Sequence, residues 1–359
     1  MKNDEFILLL LSLLVWCSCS NGDTLATRSS GNPYEVVIVS SDSVATHLVR
    51  ECLEQPVAGL PQEEPLFDVL FEGPTPNPSL TPNPSPQGRG IIKAMGGESR
   101  GRGSRTENQY SDFRSIVKVV LTGNEQTAVS MHYERNVNAQ PQIVVTLTAG
   151  SQEQLRRERH RWDASLRQLL SRFEMNAAKA FLRQHYNKQA SDSIGKLFGV
   201  KVLVPADMQS SRYEKDFVWL SNNSATGMQN ICVFEGDNID SMVTQHIKGE
   251  TDAMHMRIVE GRGSRVEPME QREQTKACFL SAESRQRKTQ SQRKTKGQSP
   301  GEVITRGLWE MTGDAMGGPF VAHIHTDSLT GRHVTVLAFV YAPESRKRNI
   351  IRKLESAIQ

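Results

Sequence analysis

Two long stretches without apolar periodicity, residues 72–112 and 257–300, constrain the fold of this 359-residue chain more than any motif does. The first strings Pro74, Pro76, Pro78, Pro82, Pro84 and Pro86 ahead of a Gly/Arg run that ends at Arg105. The second carries eleven Lys/Arg against five Glu between Arg257 and Gln298. Neither offers an apolar stripe able to offset the entropy of ordering the chain, so both are expected to be disordered insertions. The folded protein is then assembled from what precedes, separates and follows them. Charge follows the same division. Gly88–Arg105 holds +4 and Arg257–Gln298 holds +6 of a formal total of +3, which leaves −7 for the rest. The basic balance thus belongs to the insertions. They lack a nucleic-acid motif and interleaved aromatic residues, so no nucleic-acid partner is expected.

The N-terminus supplies an address. Phe6–Trp16 is an eleven-residue run, apolar except for Ser12. It is too short to cross a hydrocarbon layer of about 30 Å and has the length of a signal-peptide core. Ser18 directly before Cys19 fits lipoprotein processing, which leaves Cys19 as an acylated N-terminus. This reads as a signal peptide over 1–18 and a tether over 19–33. The protein is then held to a membrane by its N-terminal lipid, in the cell envelope, at the outer membrane or the periplasmic face. Processing leaves Cys52, Cys232 and Cys278, an odd number. A Cys52–Cys232 bridge and ordinary buried thiols are both open.

Between the insertions the periodicity is that of a folded chain. Glu35–Val39 reads as a strand, followed by a helix capped by Ser43. Ser115–Leu121, Ala128–Glu134 and Gln142–Leu147 read as strands. A long helix follows, with Trp162, Leu166, Leu169, Phe173, Ala177, Ala180 and Phe181 on one side. The order then repeats. Val200–Pro205, Phe217–Leu220 and Asn230–Phe234 read as strands, Ile239–His246 as a helix. Gly307–Met311, Phe320–His325 and His333–Tyr341 read as strands before a last helix over Glu344–Ile358. The prediction is α+β: two similar lobes, 34–199 and 200–359, of mainly antiparallel strands with helices packed on one face.

Candidate chemistry concentrates near the C-terminus. His323 and His325 share one face of a strand. A turn through Asp327–Gly331 would bring His333 opposite His325, giving three imidazoles suited to zinc. The bland alternative is a solvated hairpin. The glycine-rich turn at Gly313–Pro319 lacks the Lys-Ser/Thr and the following helix of a phosphate loop. With Trp309, Glu310, Asp314, Gly317 and Gly318, and with Trp219 nearby, it reads as a ligand- or partner-binding surface, against the alternative that both tryptophans are core. Gly97-Glu98-Ser99-Arg100-Gly101 fits the letters of Gly-x-Ser-x-Gly but falls inside the first insertion, without the strand and helix of a nucleophile elbow. Glu63/Glu64 and Glu310/Asp314 are paired carboxylates of the kind glycoside hydrolysis uses. No cofactor and no catalytic residue is expected.

Four stretches carry a resemblance: GLPQEEPLFDV at Gly59–Val69, DFVWLS at Asp216–Ser221, RGLWEMTGDAMGGPFVAH at Arg306–His323, and FVYAPESRKRNIIRKLESA at Phe339–Ala357. In these the chain, from about Asn32 and outside the insertions, resembles an uncharacterised family of Bacteroidota envelope lipoproteins, domain of unknown function 4837. The resemblance implies an envelope lipoprotein and brings no activity with it. The expectation is non-catalytic binding of a partner protein or an envelope polymer. The alternative is a metal-dependent hydrolase built on the histidine hairpin.

Overall fold

A computed structural model of the chain describes residues 27–72, 110–251, 253–259, 265–268, 303–327 and 329–359. The expected signal peptide, Cys19, Cys278 and most of both expected insertions lie outside the described residues. The fold is α+β, built on two sheets.

The first lobe contains β1 (Glu35–Val39), α1 (Ser43–Leu53), β2 (Asp68–Glu72), β3 (Ser115–Leu121), β4 (Ser130–Arg135), β5 (Ile143–Ala149), α2 (Gln152–Arg157) and α3 (Arg159–Gln184). Its strands lie in the order β2-β1-β3-β5-β4. The pairings β1–β2, β1–β3 and β3–β5 are parallel, and only β4–β5 is antiparallel. This corrects the antiparallel expectation for the first lobe, and with it the likeness of the two lobes. The reason lies in the connections. A helix between β1 and β2 returns the chain to its starting edge, so the next strand must run the same way. Asp42, not Ser43, caps α1, its Oδ1 accepting from Ala45 N at 2.7 Å. Helices α1, α2 and α3 cover one face, burying Leu48, Leu53, Leu155, Trp162, Leu166 and Leu170 against Val36, Ile38, Val117 and Val145. Along α3, Leu170 and Leu182 take inner positions, while Phe181 turns outward and stacks on His185 at 4.2 Å.

The second lobe contains α4 (Lys188–Phe198), β6 (Ser210–Tyr213), β7 (Phe217–Ser221), β8 (Met228–Glu235), α5 (Ile239–His246), β9 (Met256–Val259), β10 (Arg265–Pro268), β11 (Val303–Met311), β12 (Gly317–Thr326), β13 (His333–Tyr341) and α6 (Arg348–Ile358). Its antiparallel sheet runs β10-β11-β12-β13-β8-β7-β6, with β9 also pairing β11. Here α4 buries Ala190, Ile194 and Phe198, so it belongs with the second sheet although it precedes position 200. Val200–Pro205 is not a sheet strand. It is an extended segment that buries Val200, Val202 and Val204 and pins itself through Leu203 N to Ala357 O at 2.9 Å. Arg257–Val259 and Arg265–Pro268, expected within the second insertion, are strands, because the edge of β11 satisfies their backbone groups. Helices cover both faces: α4 and α6 on one, α5 with Val243 on the other. That corrects the one-face expectation for this lobe.

Candidate functional site

The three histidines do not converge. Thr326 pairs with His333, and His325 pairs with Val334. The connection therefore spans Asp327–Arg332, one residue longer than the expected turn, and a slip of one residue sends a side chain to the other face of a sheet. Gly331 adopts φ +70°, and its N–H closes the turn on Asp327 O at 2.8 Å. His323 and His325 remain neighbours, with ring centroids 4.1 Å apart. They lie on the inward face with Val334 and Val336, where His323 Nδ1 sits 3.1 Å from Ile358 O of α6. His333 lies on the opposite face, 3.1 Å from Thr326 Oγ1. Among the described residues no group of three His, Cys, Asp or Glu side chains is placed to hold a metal ion. The solvated-hairpin alternative holds at the tip, where Leu329 and Arg332 are exposed and His325 and His333 half-buried, and fails at its base, where His323 is buried.

The glycine-rich turn is a packing device at its base and a solvent loop at its tip. Trp309 is buried, its Nε1 donating to Val340 O at 3.2 Å. A Cβ on Gly318 would meet Val340 O at 2.0 Å, and one on Gly317 would meet Trp309 O at 2.9 Å. Both glycines thus let β11, β12 and β13 close around the indole. Glu310 accepts from Arg257 Nε at 2.6 Å. Asp314 is exposed and accepts from Ala315 N at 2.6 Å. These residues do not form a binding surface with Trp309.

Trp219 has a different setting. It is half-buried on the edge side of the same aromatic face, 6.5 Å from Phe339, and its Nε1 donates to Asn230 Oδ1 at 2.9 Å. The Arg212 guanidinium lies 5.2 Å from its ring centroid, within range of a cation–π contact. Arg212 also pairs with Glu214 at 3.0 Å and donates to His246 O. His246 stacks on Phe217 at 4.4 Å and holds Glu214 Oε2 at 2.6 Å through Nδ1. All four residues of β6 are exposed, and β6 ends the sheet, so among the described residues no strand lies on its outer side. An open strand edge flanked by Arg212, Tyr213 and Trp219 can accept backbone hydrogen bonds and aromatic contacts together. Sequence reasoning found Trp219 and missed Arg212, Tyr213, Glu214 and His246. Ser-Ser-Arg-Tyr carries no apolar alternation, so nothing local marks it as strand.

Sequence reasoning also missed the junction between the lobes. Glu64, buried, accepts from Lys347 N at 2.7 Å and Arg348 N at 3.0 Å, which caps α6 from outside its own lobe. Asp68 pairs with Arg346 and Arg348. The latter is buried and also donates to Pro65 O at 2.7 Å. Burial opposes the Asp68 charge, yet hydrogen bonds from Arg346 and Arg348 hold its carboxyl below the usual range. Burial likewise opposes charge on Glu355, but Arg352 and Arg306 outweigh it and pull that carboxyl down to about 2. Glu174 runs the other way: burial raises it despite Arg114 and Ser115. Each of these acids is held by neighbouring cations in a way that joins elements, and Glu63 and Glu64 make no catalytic pair. Cys52 and Cys232 are free thiols in separate cores, so the bridge between them does not form.

Residues 187–359 match a family described as domain of unknown function (DUF4837), and residues 101–183 match another described as domain of unknown function (DUF8532). No curated protein and no solved structure matches the chain. The first match spans the second lobe from α4 to the C-terminus, including the stretches 216–221, 306–323 and 339–357. The stretch 59–69, which supplies the junction, lies outside both matches.

Proposed function

We propose that this chain is a lipid-anchored cell-envelope protein, acylated on Cys19, like the Bacteroidota lipoproteins it resembles. In this reading it binds a partner protein without catalysing a reaction. The observation that carries the binding role is the open edge of β6, with Arg212 seated over Trp219 on one face of the sheet and Tyr213 exposed on the other. An extended segment of a partner adds a strand to such an edge, drawing affinity from main-chain hydrogen bonds. Tyr, Trp and Arg are the residues in which binding energy most often concentrates. Glu214, the carboxylate next to the edge strand, is held by Arg212 and His246.

The test is photo-cross-linking in the native envelope from a reactive side chain at Tyr213, with one at Phe181 as control. The expected result is a protease-sensitive adduct from position 213 alone, lost in Trp219→Ala. An adduct that resists protease and yields to polysaccharide-degrading enzymes would replace the protein partner with an envelope polymer. Equal labelling from both positions would sink the assignment of the edge.

A further inference from the structure

We infer that the rim of the first sheet formed by Thr27–Ser30, Ser111–Asp112 and Asn136–Gln140 faces the membrane, with Val137 nearest the headgroups. The inference rests on acylation of Cys19. Seven residues separate Cys19 from Thr27, the first described residue. Eight residue steps reach at most about 28 Å when fully extended and roughly 16 Å on average as a relaxed chain, which holds the point where the tether joins the fold close to the bilayer.

Where the tether meets the fold is set by hydrogen bonds. Gln140 N donates to Thr27 O at 2.8 Å, and Ser29 N to Gln140 O at 3.3 Å. Ser30 N donates to Asp112 O, and Arg114 N to Ser30 O, both at 3.0 Å. Asn138 Nδ2 and Gln142 Nε2 both donate to Ser111 O, at 3.0 and 2.7 Å, which ties the β4–β5 turn to the segment entering β3. The tether therefore emerges from one rigid rim rather than from a loose end. Val137 is 50% exposed on that turn. The other end of the same strands, at Thr122–Thr127, lies one seven-residue strand away, roughly 23 Å at 3.3 Å per residue.

Charge does not set this orientation. Exposed Arg28 and Arg135 on the rim are matched by exposed Glu134 and by Asp112, which Ser30 Oγ contacts at 3.2 Å. The tether carries it, so the orientation persists at high salt, where an electrostatic one would fade.

The experiment uses the full acylated chain with Cys278→Ser, reconstituted on vesicles of phosphatidylethanolamine and phosphatidylglycerol. A fluorophore is placed on Val137→Cys or on Glu125→Cys, and a nitroxide is carried on the lipid headgroup. The expected result is loss of most fluorescence at 137, little loss at 125, and no change in either when salt is raised. Equal quenching at both positions, or more at 125, on a chain whose mass carries the acyl groups overturns the orientation while leaving the anchor in place. A chain whose mass lacks them, and which does not float with vesicles, overturns the anchor and the orientation together.

Discussion

Removing the Glu64 carboxylate should destabilise the second lobe although Glu64 lies in the first. Its two oxygens accept from Lys347 N and Arg348 N, the first donors of α6, and its side chain is buried. Lys347, at the N-cap position, makes no side-chain cap of its own. Glu64→Ala therefore leaves two buried donors at the positive end of a helix dipole. An N-cap loss costs about 1 kcal/mol, and hydrogen bonds to a charged acceptor contribute about 1.5–3 kcal/mol each. Because the two bonds share one carboxylate they do not add fully, and we expect a loss of about 3 kcal/mol. At about 2–4 °C per kcal/mol for a body of this size, Tm falls by roughly 6–12 °C. Glu64→Gln keeps one acceptor oxygen and should lose about half as much, about 1.5 kcal/mol. Glu63→Ala, at an exposed neighbour, should stay within about 0.5 kcal/mol of the parent. Urea unfolding followed by far-ultraviolet circular dichroism measures all three. A Glu64→Ala protein as stable as Glu63→Ala would refute the cross-lobe cap.

Three further outcomes follow from the same geometry. Gly318→Ala drives a methyl group to 2.0 Å from Val340 O and should cost about 3 kcal/mol or more, with loss of the near-ultraviolet signal of Trp309, whereas Asp314→Ala at the tip changes neither; an unchanged unfolding midpoint in Gly318→Ala would contradict the packing role. Glu355 and Asp68 are more acidic folded than unfolded, so the stability they contribute is complete above about pH 4.5 and drains away towards about pH 2, with Glu174 blunting the slope; Arg306→Ala should move the acid-unfolding midpoint upward, and a midpoint that stays put would dismiss the Glu355 cluster as its cause. Burial pushes the Cys52 thiol up to about 12 despite Arg167, and raises Cys232 further; iodoacetamide at neutral pH should leave both peptides unmodified until the chain unfolds, and labelling under native conditions would show that these cores open locally.

Most of the elements are legible in the sequence because periodicity is a local property; β2, β6, β9 and β10 are not. Glu35–Val39, Ser115–Leu121 and His333–Tyr341 are strands where their apolar runs place them, and the long helix carries Trp162 and Leu166 inward as its spacing predicts. The α+β class follows from that inventory. The extended segment 200–205 was misread because buried apolar residues look the same in a strand and in a segment pinned by one hydrogen bond to α6.

What remained depended on contacts between residues far apart in the chain. Whether β1 runs parallel to β3 depends on which edge the chain returns to, which no window of residues records. One extra residue in the Asp327–Arg332 connection put His333 on the wrong face for metal binding, and turn length is the least readable quantity in a hairpin. Trp309 is core rather than surface because Gly318 makes room beneath Val340 O, a fit visible only when three strands are together. Glu64 reads as half of an exposed acidic pair until α6, 283 residues later, presents its bare N-terminus. The sequence alone determined where the main apolar strands and helices lie, since their side-chain patterns are local, whereas β6, β9, β10 and the 200–205 segment took their form from the elements they meet. Tertiary structure alone decided which polar groups meet, since a buried charge is stable only where a partner from elsewhere in the chain arrives to satisfy it.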